Sequence, residues 1–305
     1  MNRERNDFMK IKLLGLGKMG SNLALNLKDH GYEVFGYDAN EKVREQLKDE
    51  IIVAKSIEDL LKSENKRRVI WLLLPSQIID KVIEDMLPFL NENDIIIDGG
   101  NSNFNISIRR YHYLKSKRID FVDLGTSGGT QGARHGLCLM AGGDDEVLQY
   151  LDQIFKDVSV ENGYAHVGKP GAGHFAKMVH NGIEYGMMQA IAEGFDVLES
   201  SPYNFDHEKM AQLWNHGSVI ASNLLKHMKD AFDKNAKLSD IEGIIDDSGT
   251  GMWMIEEALK LKVAMPVITQ SLYARYKSRD EHHFTEKAVA AMRKEFGGHA
   301  VYKKK

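Results

Sequence analysis

The hexapeptide GLGKMG, residues 15–20, constrains the fold of this 305-residue chain more than any other stretch. It stands directly after the apolar run IKLL and directly before SNLALNLKDHG, whose apolar residues repeat with helical spacing. Its glycines, Gly15, Gly17 and Gly20, fall in the order GxGxxG. Such a strand-to-helix turn lets the backbone bend tightly, leaves the first helical amides open, and brings helix and strand close together. Amides and dipole at that helix start meet the charge of a pyrophosphate. The second predicted strand, EVFGYD, ends in Asp38, eighteen residues beyond Gly20, and no arginine follows until Arg44. An acidic side chain there accepts from a ribose 2'-hydroxyl and repels a 2'-phosphate, so the pattern favours NAD over NADP. A plainer use for Asp38 is to cap the helix that begins at about Asn40. With the glycines and Asp38 we assign Leu16, Met19, Leu74 and Asn101 to the cofactor side.

From Lys10 to about Val167, short apolar runs alternate with amphipathic stretches. IKLLGLG, EVFGYD, RVIWLLL, DIIIDGG and IDFVDLG predict strands. SNLALNLKDHG, EKVREQLKD, QIIDKVIEDMLPFL and SIRRYHYLKSK predict the helices between them. Two further runs, HGLCLMAGG and YAHVG, extend the sheet. The alternation predicts an α/β fold, a Rossmann-like doubly wound parallel sheet over residues 9–168. Glycine and proline at 168–173 mark a boundary, and residues 169–305 predict an all-helical domain: HFAKMVHNGIEYGMMQAIAEGFDVLES, then HEKMAQLWNHGSVIASNLLKHMKDAF, then shorter segments. The eight residues ahead of Met9 read as a disordered extension or a misplaced start, and the terminal KKK as a frayed, solvated tail.

With 40 basic and 44 acidic side chains the net charge is −4, so no global field draws the chain to nucleic acid or an anionic membrane. MNRERNDFM has no apolar leader, and no run is long enough to span a bilayer, which predicts a cytoplasmic protein. The one cysteine, Cys138, excludes an internal disulfide and a cysteine-rich metal site and reads as a small core residue. Neither HxxEH nor clustered carboxylates occur, so no metal is expected.

Residues 177–185, KMVHNGIEY, place Lys177, His180, Asn181, Glu184 and Tyr185 on one helical face. Gly182 and Gly186 within the same helix predict something packed close to its backbone. The apolar residues Phe175, Met178, Val179, Ile183, Met187 and Ile191 predict a buried helix whose polar face lines a cavity. Two polar clusters follow predicted strands, Asn101–Asn103 and TSGGTQGAR at 126–134, and strand C-terminal ends are where open α/β sheets bind ligands.

GLGKMG, IIIDGGNSN, SGGTQGAR, GAGHFAKMVHNGIEYG, SGTGMW and RKEFGGH together resemble decarboxylating 6-phosphogluconate dehydrogenase over essentially the whole chain, at the length of the short, NAD-preferring form. The resemblance implies that Lys177 is the general base at the C3 hydroxyl and Glu184 the acid that protonates C1 of the enediol, giving ribulose 5-phosphate and CO2. It implies that Asn101, Ser127, Gly128, Gly129, His180 and Asn181 hold the sugar acid, a small-molecule phosphate substrate. Tyr185, Arg275, Arg293 and His299 would hold its phosphate end. It also implies a homodimer or homotetramer in which the RKEFGGH tail reaches the neighbouring site. One departure stands out: Met252 occupies the place of a lysine that contacts the substrate phosphate in the long form, and methionine cannot make that contact.

Two rivals remain. Another β-hydroxyacid dehydrogenase, of the 3-hydroxyisobutyrate or tartronate semialdehyde type, shares the nucleotide fingerprint but usually has Asn-Asn in place of His180-Asn181 and lacks the tail. A non-catalytic nucleotide-sensing protein would have no need of Lys177 and Glu184 together. Trp71 and Trp214 read as packing residues, His282 and His283 as surface, and Lys66, Arg67 and Arg68 as a solvated turn.

Overall fold

The computed structural model describes residues 9–62 and 67–302. The expected N-terminal extension, Lys66 and the KKK tail lie outside the described residues. The chain forms two compact units, residues 1–180 and 181–305.

The first unit is an eight-stranded sheet in the order β3-β2-β1-β4-β5-β6-β7-β8. Its strands are β1 (Lys10–Leu14), β2 (Glu33–Tyr37), β3 (Ile52–Val53), β4 (Val69–Leu72), β5 (Ile95–Asp98), β6 (Asp120–Ser127), β7 (Leu137–Gly142) and β8 (Ser159–Gly168). Helices α1 (Lys18–Asp29), α2 (Glu41–Leu47), α3 (Ile57–Leu60), α4 (Ser76–Met86), α5 (Phe104–Lys115), α6 (Gly129–His135) and α7 (Asp145–Asp157) connect them. Strand alternation divides the core into two layers. Val69, Trp71, Ile95 and Ile97 pack on one face, while Ile70, Leu72 and Ile96 pack on the other. This is why those strands read as continuous apolar runs.

Four features depart from the reading of the sequence. First, β6 and β7 are antiparallel, with Asp123 opposite Gly142 and Ser127 opposite Cys138. Residues 128–136 between them are fewer than the dozen or so that a parallel crossover needs. Second, β3, α3, α6 and α7 were not anticipated; the first two are very short, and α6 lies in a glycine-rich stretch that reads as a turn. Third, Cys138 is exposed, because alternation sends Leu137 and Leu139 inward and Cys138 outward. Fourth, Arg67 and Arg68 form no solvated turn. Buried Arg68 donates through Nε to both oxygens of Asp94 at 3.1 Å and reaches the carbonyls of Leu61 and Phe89. Arg67 bonds the Asn93 carbonyl at 2.7 Å, pairs with Asp120 and stacks on Tyr150. Trp71 is a packing residue, edge-on to Phe155.

Helix α8 (Ala172–Ser200) runs from the first unit into the second, which continues with α9 (His207–Trp214), α10 (Asn223–Lys234), α11 (Thr250–Leu261), α12 (Pro266–Ser278) and α13 (Phe284–Gly297). The stretch expected as one helix over 207–232 is two. Gly217 takes φ 77°, and Ser222 caps a new helix by accepting from the Leu225 amide. Phe195, Ala211, Leu225 and Phe232 form the core of this unit, with Trp214 packed against it. Helix α8 is not buried all round: Ile183 is 50% and Val197 70% exposed. Among the described residues no helix is long and apolar enough to cross a membrane.

Candidate active site

The three glycines of GLGKMG do different work. Gly15 takes φ 93°, and a side chain there would meet the Leu73 carbonyl oxygen at 2.4 Å. At Gly20 a Cβ would strike the Gly15 carbonyl oxygen at 1.9 Å, so α1 can start against the loop only without one. Gly17 is the N-cap of α1, with no side-chain cap, and faces open space. The first amides of α1 are therefore approachable, as a pyrophosphate requires.

Asp38 closes the loop from the β2 side. One carboxylate oxygen accepts from the Leu16 amide at 2.9 Å, the other from the Asn40 amide at 2.8 Å. Asn40, not Asp38, caps α2, through the Lys42 amide. Arg44 donates to the backbone carbonyl of Asp38 at 2.6 Å and lies over Tyr37. Leu16 is buried, Met19 and Leu74 half-buried, and Leu74 borders both Gly15 and Gly100.

Asn101 stands exposed at the tip of the loop after β5, supported from beneath. Fully buried Asp98 accepts from the Gly100 amide (3.1 Å), the Ser102 hydroxyl (2.9 Å) and Arg110 (2.8 Å). Arg110, on α5, also bonds Ser102 and Asp80, so the loop is pinned to that helix. Both residues lay in segments that read simply as strand and helix.

On the next strand, Ser127 ends β6 with its hydroxyl 3.1 Å from Nε2 of His180. The other ring nitrogen, Nδ1, is 3.5 Å from Lys177 Nζ. The imidazole thus links serine and lysine, and all three are half-buried. Gly128 and Gly129 follow with φ 117° and 59°, positions that favour glycine, and turn the chain into α6. Beneath this group lies Asp123, fully buried, accepting from the amides of Gly171 (2.6 Å) and His174 (2.8 Å) at the start of α8. Burial pushes its carboxyl above the usual carboxylate range, against the opposing pull of His174 and the two amides.

The second unit carries the remaining residues. Asn181 and Glu184 are half-buried on α8, with Glu184 two turns beyond Lys177. Gly182 is where α11 packs closest: a Cβ there would meet Met254 Sδ at 2.0 Å. Tyr185 is buried; its hydroxyl accepts from the Ser248 amide and lies 3.3 Å from the Ser248 hydroxyl. The Arg275 guanidinium stacks on the Tyr185 ring at 3.7 Å and donates to the Asp246 carbonyl at 2.7 Å. Ser248 in turn bonds Thr250 at the start of α11, whose N-cap is Gly249 with φ 82°. Met252 follows within that first turn, 43% exposed. Arg293 on α13 and His299, just past its Gly298 cap, are exposed.

Five of the sequence-assigned residues are thus brought together in two groups: Ser127, Lys177 and His180 in the first unit, and Tyr185 and Arg275, with Ser248, in the second. Asp123, Asp98, Arg110 and Ser248 are the additions. Ser248 stood within the recognised SGTGMW motif, and acids inside apolar strands were the available signal for Asp98 and Asp123.

Two family models cover the chain: the NAD binding domain of 6-phosphogluconate dehydrogenase over residues 10–168, and the 6-phosphogluconate dehydrogenase C-terminal domain over 173–304. A Bacillus subtilis protein whose own 6-phosphogluconate dehydrogenase assignment is provisional is 49% identical over 97% of this chain and its own full length. The NAD(+)-dependent, decarboxylating 6-phosphogluconate dehydrogenase of Haloferax volcanii is 37% identical over 97% of this chain and 99% of the relative. Among solved structures, Plasmodium falciparum 6-phosphogluconate dehydrogenase, described with NADP+ and with 6-phosphogluconate, superimposes with a TM-score of 0.80 at 30% identity, covering 97% of this chain and 66% of that one.

Proposed function

The chain belongs to the decarboxylating 6-phosphogluconate dehydrogenase family of oxidoreductases, and we propose that it converts 6-phosphogluconate to ribulose 5-phosphate and CO2 with reduction of NAD. The observation that carries this reading is the Ser127–His180–Lys177 group, with Glu184 on the same helix.

A nicotinamide, when bound, supplies the hydride acceptor for C3. The open amides after Gly17 fit its pyrophosphate, and Asp38, beside the same loop, fits an unphosphorylated adenosine ribose. Lys177 takes the C3 hydroxyl proton as hydride leaves, then returns it to the C3 oxygen during loss of CO2, and Glu184 delivers a proton to C1. His180 and Ser127 steady the lysine and, with Asn101, Asn181 and the amides at Gly128 and Gly129, hold the sugar acid. A β-keto acid loses CO2 readily once its carbonyl is polarised, so Lys177 as a hydrogen-bond donor is sufficient. On the phosphate side, Arg275, Ser248 and the first-turn amides of α11, including that of Met252 itself, supply the charge and donors that a methionine side chain lacks. Residues 169–305 serve as the substrate and dimerisation domain of a cytoplasmic homo-oligomer, with Arg293 and His299 reaching the neighbouring site.

The test is a cofactor-by-substrate assay following reduced nicotinamide and CO2 together, with 6-phosphogluconate or gluconate and with NAD or NADP. Matched NADH and CO2 from 6-phosphogluconate is the expected result; NADH without CO2, or turnover of gluconate alone, defeats the reading. Mixing His299→Ala and Lys177→Met chains should restore activity if the tail acts across subunits, and no recovery would place it within one chain.

A further inference from the structure

Helix α8 meets β6 through an alternating set of residues. Asp123, Gly125 and Ser127 share one face of the strand, and opposite them stand His174, Lys177 and His180, three residues apart on the helix. At the middle position the approach is closest: a Cβ on Gly125 would lie 2.7 Å from Lys177 Cβ and 2.6 Å from the Gly173 carbonyl oxygen. Glycine lines the approach elsewhere too. A Cβ on Gly142 would meet Asp123 Oδ1 at 2.6 Å, and one on Gly173 would meet the Asp123 carbonyl oxygen at 2.3 Å. The start of α8 therefore rests backbone against backbone on β6 and β7, where small displacements are not absorbed by flexible side chains.

Asp123 is what secures that contact. Its two carboxylate oxygens take the amides of Gly171 and His174, two donors that a helix start leaves without intrahelical partners. A carboxylate supplied by a neighbouring strand thus caps α8. The His174 ring ties the same turn to α5, through 2.6 Å from Nδ1 to the Ser107 hydroxyl. Helix α5 begins directly after the Asn101 loop.

We propose that Asp123 is a positioning residue: by holding the first turn of α8 on β6, it sets where Lys177 and His180 stand above Gly125 and Ser127. The inference rests on the reading of Lys177 as base. Asp123 itself touches no reacting atom.

Asp123→Asn keeps the shape and one acceptor but turns an NH2 group toward an amide donor. It should bind NADH at full stoichiometry with the KM for NAD unchanged, because the nucleotide loop lies on other strands. Its kcat per NADH-binding site should fall about ten- to hundredfold, the loss that a displacement near 1 Å brings. Amide hydrogen exchange over residues 171–177 should quicken. Asp123→Ala should lose more, so that asparagine counts as partial rescue. Activity lost only in proportion to NADH sites would mean a role in folding alone, and unchanged kcat with faster exchange would mean that the cap does not govern the lysine; either overturns the proposal. Failure of the underlying reading would be visible without touching Asp123, as an inactive wild-type enzyme or an active Lys177→Met variant, and would remove the inference with it.

Discussion

The two units bury their apolar residues to very different extents. In the sheet unit the centre of each layer is closed: Ile11, Leu13, Trp71, Ile96 and Leu124 are wholly shielded, and even Arg68 and Asp94 are enclosed as a satisfied pair. Among the described residues the helical unit closes a small cluster around Phe195, buries Tyr185, Met254, Ala258 and Leu272 apart from it, and leaves Ile183, Met187 and Val197 of α8, Val267 of α12 and Phe284 of α13 in solvent. A sheet with helices on both faces is self-sufficient, whereas helices with wide apolar faces need cover, and patches of that kind mark association surfaces. The proposed oligomer supplies such cover. Helix α8 joins the two regimes, with Lys177 on the closed side and Glu184 on the open one.

The largest expected effect is at the closed end. Lys177→Met should lower kcat roughly 10³-fold, within the range for loss of a general base, while NADH binding by fluorescence stays intact; appreciable turnover would take the lysine out of the base role. Arg68→Met tests the completeness of the sheet core, because it leaves the Asp94 carboxylate buried without its partner. Denaturant titration should show a loss of about 3–5 kcal/mol, and a change under 1 kcal/mol would mean that this unit is less closed than its burial indicates. Ile183→Glu probes the open side: it should leave NADH binding unchanged and shift sedimentation toward the monomer, and an unaltered association state would show that α8 is not part of the covered face. The smallest effect is expected at Asp38→Ala, which should weaken NAD about tenfold relative to NADP, the equivalent of one hydrogen bond. An unchanged ratio would remove the basis for preferring NAD.

Legibility in the sequence followed the range of the interactions. The GxGxxG turn was readable because glycine's freedom is local, although α1 begins at Lys18, inside the motif and three residues ahead of the apolar helical run that starts at Ser21. The residues of KMVHNGIEY share a face because helical spacing alone places them there. By contrast, α9 and α10 were read as one helix, since continuous apolar spacing hid the positive φ of Gly217 and the Ser222 cap. Arg67 and Arg68 looked solvated because their carboxylate partners are 53 and 26 residues away. The apolar flank of α8 looked buried because hydrophobicity specifies a need for cover, not what provides it.

What the sequence by itself determined is the set of periods and special backbone positions: alternating strands and helices, the nucleotide turn, and one helix carrying lysine, histidine and glutamate on a single face. Only the tertiary structure decided that β7 reverses direction, that Asp123 and Asp98 lie beneath the site as anchors, and that Ser127 meets His180. Periodicity and glycine geometry are set by neighbours within a few residues, whereas the worth of a carboxylate depends on which distant amides and cations the fold encloses with it.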